Sequence, residues 1–384
     1  MITANKAKSN CFKKVLVVRN FRNVIRCGLD DKNSKPKVSN FLEISDIFVK
    51  RAFYKNGMAK KHIAVAMGGY SSEFDISLQS GKIVCEHLDR NKYHVHAVQI
   101  TKQGWFYLPE NGVRKTIDRS NFSFEYNGEK IVPDAIFNTI HGTPGEDGYM
   151  AAFWELLGIP QTSAGFYQAA LSFNKRDCLS VLKHFGIHCA NSYYINKGTD
   201  YDLEAIVLST GLPCFVKPNR AGSSFGISKV NDMEDLQPAI EKAFTEDTEV
   251  LIETALVGTE VSVGTYRKDG EIIVLPVTEI VSENEFFDYE AKYLGKSQEI
   301  TPARISDEET QTVQLEAKKV YHLLNMTGVS RSEFIIQDGV PYFLETNTTP
   351  GLSSESIVPK MVKETGMSLS EFFGILVDEA LVKK

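Results

Sequence analysis

The chain has 384 residues, 42% hydrophobic and 24% charged, and at roughly 100–200 residues per domain that length accommodates two or three cores. No run approaches the roughly 18 apolar residues of a membrane span, and the composition is not that of a disordered, collagenous or disulfide-scaffold protein. The net charge of −6 is unevenly spread: residues 1–57 hold 13 Lys and Arg against 4 Asp and Glu, and the remainder holds 30 against 45, an acidic body that lacks the cationic face nucleic acid requires.

Residues 1–57 show no clear periodicity. A start codon assigned too far upstream, a basic targeting segment and a disordered arm all fit them. Met58 followed by Lys60-Lys61 and a clean strand supports the first reading. From there β and α segments alternate. His62–Met67 is a short apolar run ending in Gly68-Gly69, the pattern of a buried parallel strand entering a tight turn. Residues 75–89 read as an amphipathic helix, His94–Ile100 and Asp134–Asn138 as strands, and 149–157 as a helix stopped by Gly158. This predicts a doubly wound α/β domain over 58–163. A central domain, 164–257, takes a helix at 174–185 and strands at 192–195, 213–217 and 249–253. The last domain, 258–384, takes strands at 260–266 and 272–278, an irregular stretch at 283–303, a helix opening on the Ser306/Glu309 capping box, a hairpin of 332–337 with 341–346, and a final helix capped by Ser368. The six cysteines are scattered without a C-x-x-C pair, which speaks against structural zinc and for a reducing compartment.

Lys217 ends an apolar strand, Phe215-Val-Lys217-Pro218, beside the loop Gly222-Ser223-Ser224-Phe-Gly226. Glycines free backbone N–H groups for phosphate oxygens and serines add donors, although the loop does not match the Walker pattern. Taken alone, Lys217 is a lysine reaching to water. Lys175 opens a helix, where the N-terminus assists anion binding. Glu345 and Asn347, two residues apart on a strand, share a face, and Glu333 on the preceding strand offers a second carboxylate. Such oxygen donors suit Mg²⁺; a solvated acidic strand face is the ordinary alternative. Parity sets a condition: with a two-residue Asp338-Gly339 turn and a regular ladder, Glu333 would face away from Glu345, so an odd loop or a bulge is expected. Arg331 shares the face of Glu333 and either holds substrate charge or pairs with that acid. Glu73, after Gly68-Gly69, suits a ligand ammonium or compensates the helix start. His141 is a site or a turn residue. Gly68-Gly69 fails G-x-G-x-x-G, so a dinucleotide site is disfavoured.

Read together, Gly68-Gly-Tyr-Ser-Ser-Glu73, His141-Gly-Thr-Pro-Gly-Glu-Asp-Gly148, Val216-Lys-Pro with Gly222–Gly226, Asp288-Tyr-Glu-Ala-Lys-Tyr293 and Leu344-Glu-Thr-Asn-Thr-Thr-Pro-Gly351 resemble the D-alanine–D-alanine ligases of the ATP-grasp superfamily over residues 58–384. The resemblance implies a three-domain α/β ATP-grasp fold that clasps ATP between its central and C-terminal α+β domains. It implies phosphorylation of one D-alanine carboxylate, attack by the amine of a second, and two Mg²⁺ or Mn²⁺ ions. Lys175, Lys217 and Ser224 would then contact phosphates, Glu253 and Glu260 the adenosine, and Lys292 the γ-phosphate. Glu333, Glu345 and Asn347 would hold metal. Glu73, linked through Ser223 and Tyr293 to a lid loop within 283–303, would bind the first ammonium, with His141 beside it. Arg331 and the Gly351 N–H would stabilise the tetrahedral intermediate, and Ser356 and Ile357 would take the second carboxylate. Many relatives carry aspartate at the position of Glu333, and residues 1–57 have no counterpart. A homodimer in a bacterial cytoplasm, without nucleic-acid or membrane partners, is implied as well. D-Ala–D-lactate ligation on the same scaffold, and a non-catalytic binding protein, are the competing readings.

Overall fold

A computed structural model describes residues 60–110, 112–220, 222, 225–282 and 297–382. The first sheet has the order β4-β3-β2-β1-β7, built from β1 (Lys61–Gly68), β2 (Tyr93–Ile100), β3 (Trp105–Leu108), β4 (Lys115–Thr116) and β7 (Ala135–Asn138), while β5 (Phe124–Tyr126) and β6 (Glu129–Ile131) form a separate ribbon. β1 runs parallel to β2 and β7, whereas β3 and β4 add an antiparallel edge. The doubly wound expectation therefore holds for the three parallel strands β2, β1 and β7. Alternate β1 residues feed opposite cores: Ile63, Val65 and Met67 pack with Val84, Phe372 and Phe373, and Ala64 and Ala66 with Trp105, Phe122 and Trp154. Covering both faces explains why β1 reads as one continuous apolar run.

Helix α1 (Phe74–His87) follows β1, α2 (Tyr149–Leu156) precedes Gly158 at φ +69°, and α3 (Phe166–Phe173) leads to α4 (Lys175–His184), which stops before Gly186 at φ +77°. A second, antiparallel sheet has the order β10-β9-β11-β8, with β8 (Ser192–Asn196), β9 (Cys214–Pro218), β10 (Ser228–Val230) and β11 (Glu249–Thr254). Its core takes Ile206 from α5 (Leu203–Thr210) and Leu236 and Ile240 from α6 (Leu236–Ala243).

The third sheet has the order β15-β14-β12-β16-β17, with β13 also on β12. Its strands are β12 (Thr259–Lys268), β13 (Glu271–Val274), β14 (Thr278–Ser282), β15 (Ser297–Ile300), β16 (Ser330–Gln337) and β17 (Val340–Asn347). The single strand expected at 272–278 is two, broken at Leu275-Pro276-Val277, where proline lacks a ladder donor. α7 (Asp307–Leu323) starts on the expected reciprocal Ser306/Glu309 capping box. α8 (Ile357–Glu364) and α9 (Leu369–Val382) follow, with the Glu371 N–H donating to Ser368 Oγ at 3.1 Å. α9 returns Phe372, Phe373 and Leu376 to the core that holds Ile63 and Phe137, so chain-distant segments share one interior. No helix among the described residues is long and apolar enough to cross a membrane.

The 337–340 hairpin meets the parity condition in an instructive way. Its turn is the two-residue Asp338-Gly339, both at positive φ (52° and 75°) as a primed turn demands. Pairing runs regularly from Gln337↔Val340 to Phe334↔Phe343, then slips, and Glu333 stands opposite Glu345 rather than Leu344. A bulge, not an odd loop, brings the two acids together.

Candidate active site

The strand-to-turn junction after β1 sets the first wall of the site. The Gly68 N–H donates to Ser77 Oγ at 2.7 Å, and that hydroxyl donates to Thr139 O at 2.7 Å. A Cβ on Gly68, at φ +98°, would meet Ile100 O at 2.7 Å, so only glycine fits. The chain then delivers Glu73 to the N-terminal boundary of α1. Ser71 Oγ donates to His141 O at 2.9 Å, and the Tyr70 N–H to Thr143 O at 2.8 Å, which locks the 70–73 turn against the 141–146 loop.

His141 is buried, with Nε2 3.1 Å from Ser80 Oγ, and the Leu352 N–H donates to the same hydroxyl at 3.1 Å. Burial holds the imidazole pKa below its ordinary value, although Glu73 pulls the other way. Glu146 in the same loop accepts from the Gly142 N–H at 2.9 Å. Burial first, and the neighbouring Glu73 second, push its carboxyl up to about 8. Gly222 approaches Glu73 so closely that an added Cβ would lie 2.9 Å from Oε2.

The second wall carries cations, each met by an acid. Asn174 caps α4 by accepting from the Asp177 N–H, and places Lys175 Nζ 2.9 Å from Glu345 Oε2. Burial opposes the charge on Lys175, but Glu345, with Glu146 and Glu253 behind it, outweighs that and the lysine pKa is raised. Lys217, on β9 opposite Leu251 of β11, pairs with the carboxylate of buried Glu253. Arg331 lies 3.0 Å from Glu333 Oε1, the pairing one sequence reading allowed, and in register with Asn347. Asn347 Oδ1 accepts from the Thr349 N–H at 2.8 Å. Glu333, Glu345 and Asn347 form an all-oxygen donor set on two paired strands, which fits a hard divalent cation.

A cavity of about 260 Å³ joins Glu73 and His141 to Arg331, Asn347, Gly351, Ser356 and Ile357. Seven sequence-selected residues thus share one space. Lys175, Lys217, Glu253, Glu333 and Glu345 do not line it, and Glu260 stands on β12 opposite Ile280 and Ile335. Ser223, Ser224, Lys292 and Tyr293 lie outside the described residues. Sequence reasoning passed over Ile76, Gln79, Glu299 and Glu355, which also line the cavity, and the buried Glu146. Ile76 and Gln79 follow Glu73 at helical spacing, a signal that could have found them.

Family models bear directly on this geometry. One described as "D-ala D-ala ligase N-terminus" matches residues 62–164, and one described as "D-ala D-ala ligase C-terminus" matches 181–378. A D-alanine–D-alanine ligase of Flavobacterium johnsoniae is 58% identical over 321 residues, 84% of this chain and 99% of that protein. Among solved structures, the VanG D-Ala:D-Ser ligase from Enterococcus faecalis aligns at 33% identity and a TM-score of 0.75, over 84% of this chain and all of that one. The D-alanine–D-alanine ligase from Bacillus anthracis complexed with ATP aligns at 25% identity and a TM-score of 0.68, over 84% of this chain and 98% of that one. The architecture is the α/β ATP-grasp fold, and the protein is a ligase. More narrowly, the chain belongs to the D-alanine–D-alanine ligase family.

Proposed function

We infer that the enzyme joins two molecules of D-alanine with ATP, releasing ADP and phosphate, to supply the D-alanyl-D-alanine of peptidoglycan precursors. The observation that carries the reading is the single small cavity linking Glu73 and His141 at one end to Ser356 and Ile357 at the other, with Arg331 and Gly351 beside them. In this reading Glu73 takes the ammonium of the first D-alanine, and neutral His141, fixed by Ser80, borders it. ATP phosphorylates the first carboxylate. The ammonium of the second D-alanine loses a proton to water and attacks the acyl carbon as the free amine; the C–O bond to phosphate breaks, and the departing phosphate takes up the second proton from nitrogen. Arg331 and the Gly351 N–H stabilise the negative charge of the tetrahedral intermediate, while Ser356 and Ile357 at the start of α8 receive the second carboxylate.

Lys175 and Lys217 serve the phosphates, with Ser223, Ser224 and Lys292 joining them, and Glu253 and Glu260 serve the adenosine. Glu333, Glu345 and Asn347 would hold two Mg²⁺ or Mn²⁺ ions. When bound, the ions would neutralise charge on the transferring phosphoryl group. Tyr293 is assigned a catalytic role with Ser223 on the family resemblance. We assign the domains as 58–163, 164–257 and 258–384, supported by the confinement of each larger sheet to one of these spans. A homodimer in the cytoplasm of a bacterium completes the proposal. Exposed Tyr149 and Leu156 on α2, and Phe166 and Tyr167 on α3, form the candidate face between copies. Coupled ADP release with D-alanine, L-alanine, D-serine and D-lactate tests the reaction. Release driven by D-alanine, with the dipeptide as product, is expected; release driven chiefly by paired D-lactate, or none at all, would overturn it.

A further inference from the structure

The second-substrate end of the cavity poses an electrostatic problem. Glu299 and Glu355 line it together with Ser356 and Ile357, where a substrate carboxylate is expected. Glu355 is exposed, so water screens it. Glu299 is not: its side chain is 15% exposed, and its position on β15, opposite Ile280 of β14, fixes it against the cavity. A bare carboxylate there would repel the group that Ser356 and Ile357 must receive.

Lys360 answers it. Its Nζ lies 3.0 Å from Glu299 Oε2. Its N–H donates to Ser356 O at 3.4 Å, so the ammonium rides on the same turn of α8 that carries Ser356. The helix itself gives no reason for a cation at this end, because the N-terminal end of the dipole disfavours one. Lys360 does not line the cavity; it acts through its partner. The pair also ties β15 to α8, two elements far apart in the chain.

We propose that Lys360 is a positioning residue of the second-substrate subsite, which neutralises Glu299 and so sets the affinity of that subsite for a carboxylate. The proposal rests on the assignment of the cavity to two amino-acid substrates. Its sign pattern separates it from a merely structural salt bridge. Losing Lys360 exposes a negative charge to the substrate carboxylate, and losing Glu299 does not.

Steady-state kinetics of the full-length protein, with D-alanine saturation resolved into its two binding events, tests this. Lys360→Met keeps the aliphatic stem. It should raise the KM of the second D-alanine roughly 5- to 50-fold, the scale of a unit charge roughly 7–17 Å away at an effective dielectric near 20. The KM of the first D-alanine and of ATP should stay at wild-type values. Glu299→Gln should leave the second KM at or below wild type, and Glu299→Gln/Lys360→Met should restore it. If Glu299→Gln raises the second KM as Lys360→Met does, the pair is structural and the proposal fails. An unchanged second KM in Lys360→Met also overturns it. Should Lys360→Met not fold, Lys360→Gln carries the same comparison. Ser356→Ala separates the two levels of inference. If it raises the second KM while Lys360→Met does not, only this proposal falls; if neither variant moves an amino-acid constant, the reading of the cavity falls with it.

Discussion

Replacing Lys217 by alanine tests how far the lysines proposed to bind phosphate are also structural. Lys217 and Glu253 are 13% and 6% exposed and in direct contact. Removing one member of a buried pair strands the other, a loss of about 3–5 kcal/mol. Spread over the unit formed by residues 60–384, at about 2.1 cal/mol/K of unfolding entropy per residue, this lowers Tm by about 4–7 °C. Scanning calorimetry of the nucleotide-free protein should show that drop, and the KM for ATP should rise about tenfold or more, equivalent to about 1.4 kcal/mol. The double variant Lys217→Met/Glu253→Gln separates the two effects. It removes both charges, so Tm should return to within about 2 °C of wild type while ATP use stays impaired. A Tm for Lys217→Ala equal to wild type would refute the structural half of the reasoning, and an unchanged KM for ATP would refute the functional half.

Glu345→Gln keeps the shape of the Lys175 contact but removes a charge from the donor set; turnover with Mg²⁺ should fall about 100-fold, and wild-type kinetics would contradict the metal assignment. His96 is 1% exposed, its Nε2 is 2.9 Å from His62 Nδ1, and burial, then the charges of His62 and His94, push it down to about 3. The folded pKa lies below the unfolded value, so stability is full above about pH 6.5 and is lost as pH falls toward 3, by up to about 1.4 kcal/mol per unit. His96→Phe should flatten the fall in urea-unfolding stability between pH 6.5 and 5, and a slope equal to wild type would remove His96 as its cause. Leu156 is 88% exposed; if α2 and α3 form the face between copies, Leu156→Asp should shift sedimentation from dimer to monomer, and an intact dimer would clear that face of the role. A chain beginning at Met58 should retain full ligase activity, since the family match begins at residue 62; loss of activity would give the preceding segment a role.

Local signals carried much of the fold. β1 with Gly68-Gly69, the glycine stops at 158 and 186, and the Ser306 box all depend on residues within a few positions, and all stand where expected. Weak elements were missed. β4 to β6 are two or three residues long, and α5 and α6 span eight residues each, too short for period alone to distinguish. The bulge opposite Glu333 was legible only as a requirement: parity demanded it if the acids were to meet, but no residue near Leu344 announces it. The site followed the same division. Glu73, His141, Asn347 and Gly351 sit in recognisable motifs, Arg331, Ser356 and Ile357 stand within a few residues of a motif residue or of Glu333, and all seven converge. Glu299 belongs to no motif, and its place at the cavity follows from β15 pairing with β14, a tertiary fact.

The pairings at the second wall also bear on how nucleotide and metal must act together. Lys175 meets Glu345, Lys217 meets Glu253, and Arg331 meets Glu333. Phosphates approaching these cations compete with carboxylates already in place, and a divalent cation approaching Glu333 or Glu345 competes with Arg331 or Lys175. Either ligand alone breaks pairs that are largely shielded from water, which is costly. Arriving together, they would exchange partners on the proposed assignment: phosphate oxygens would take Lys175 and Lys217 as a divalent cation took Glu345 and Glu333. That exchange would re-pair Lys175, Glu345 and Glu333, whereas Glu253, released by Lys217, and Arg331, released by Glu333, would turn to the adenosine and the substrate. On the proposed assignment the acids would therefore do more than hold metal. They would hold the cations in register between turnovers and make nucleotide and metal affinities thermodynamically linked, each strengthening the other by the same factor.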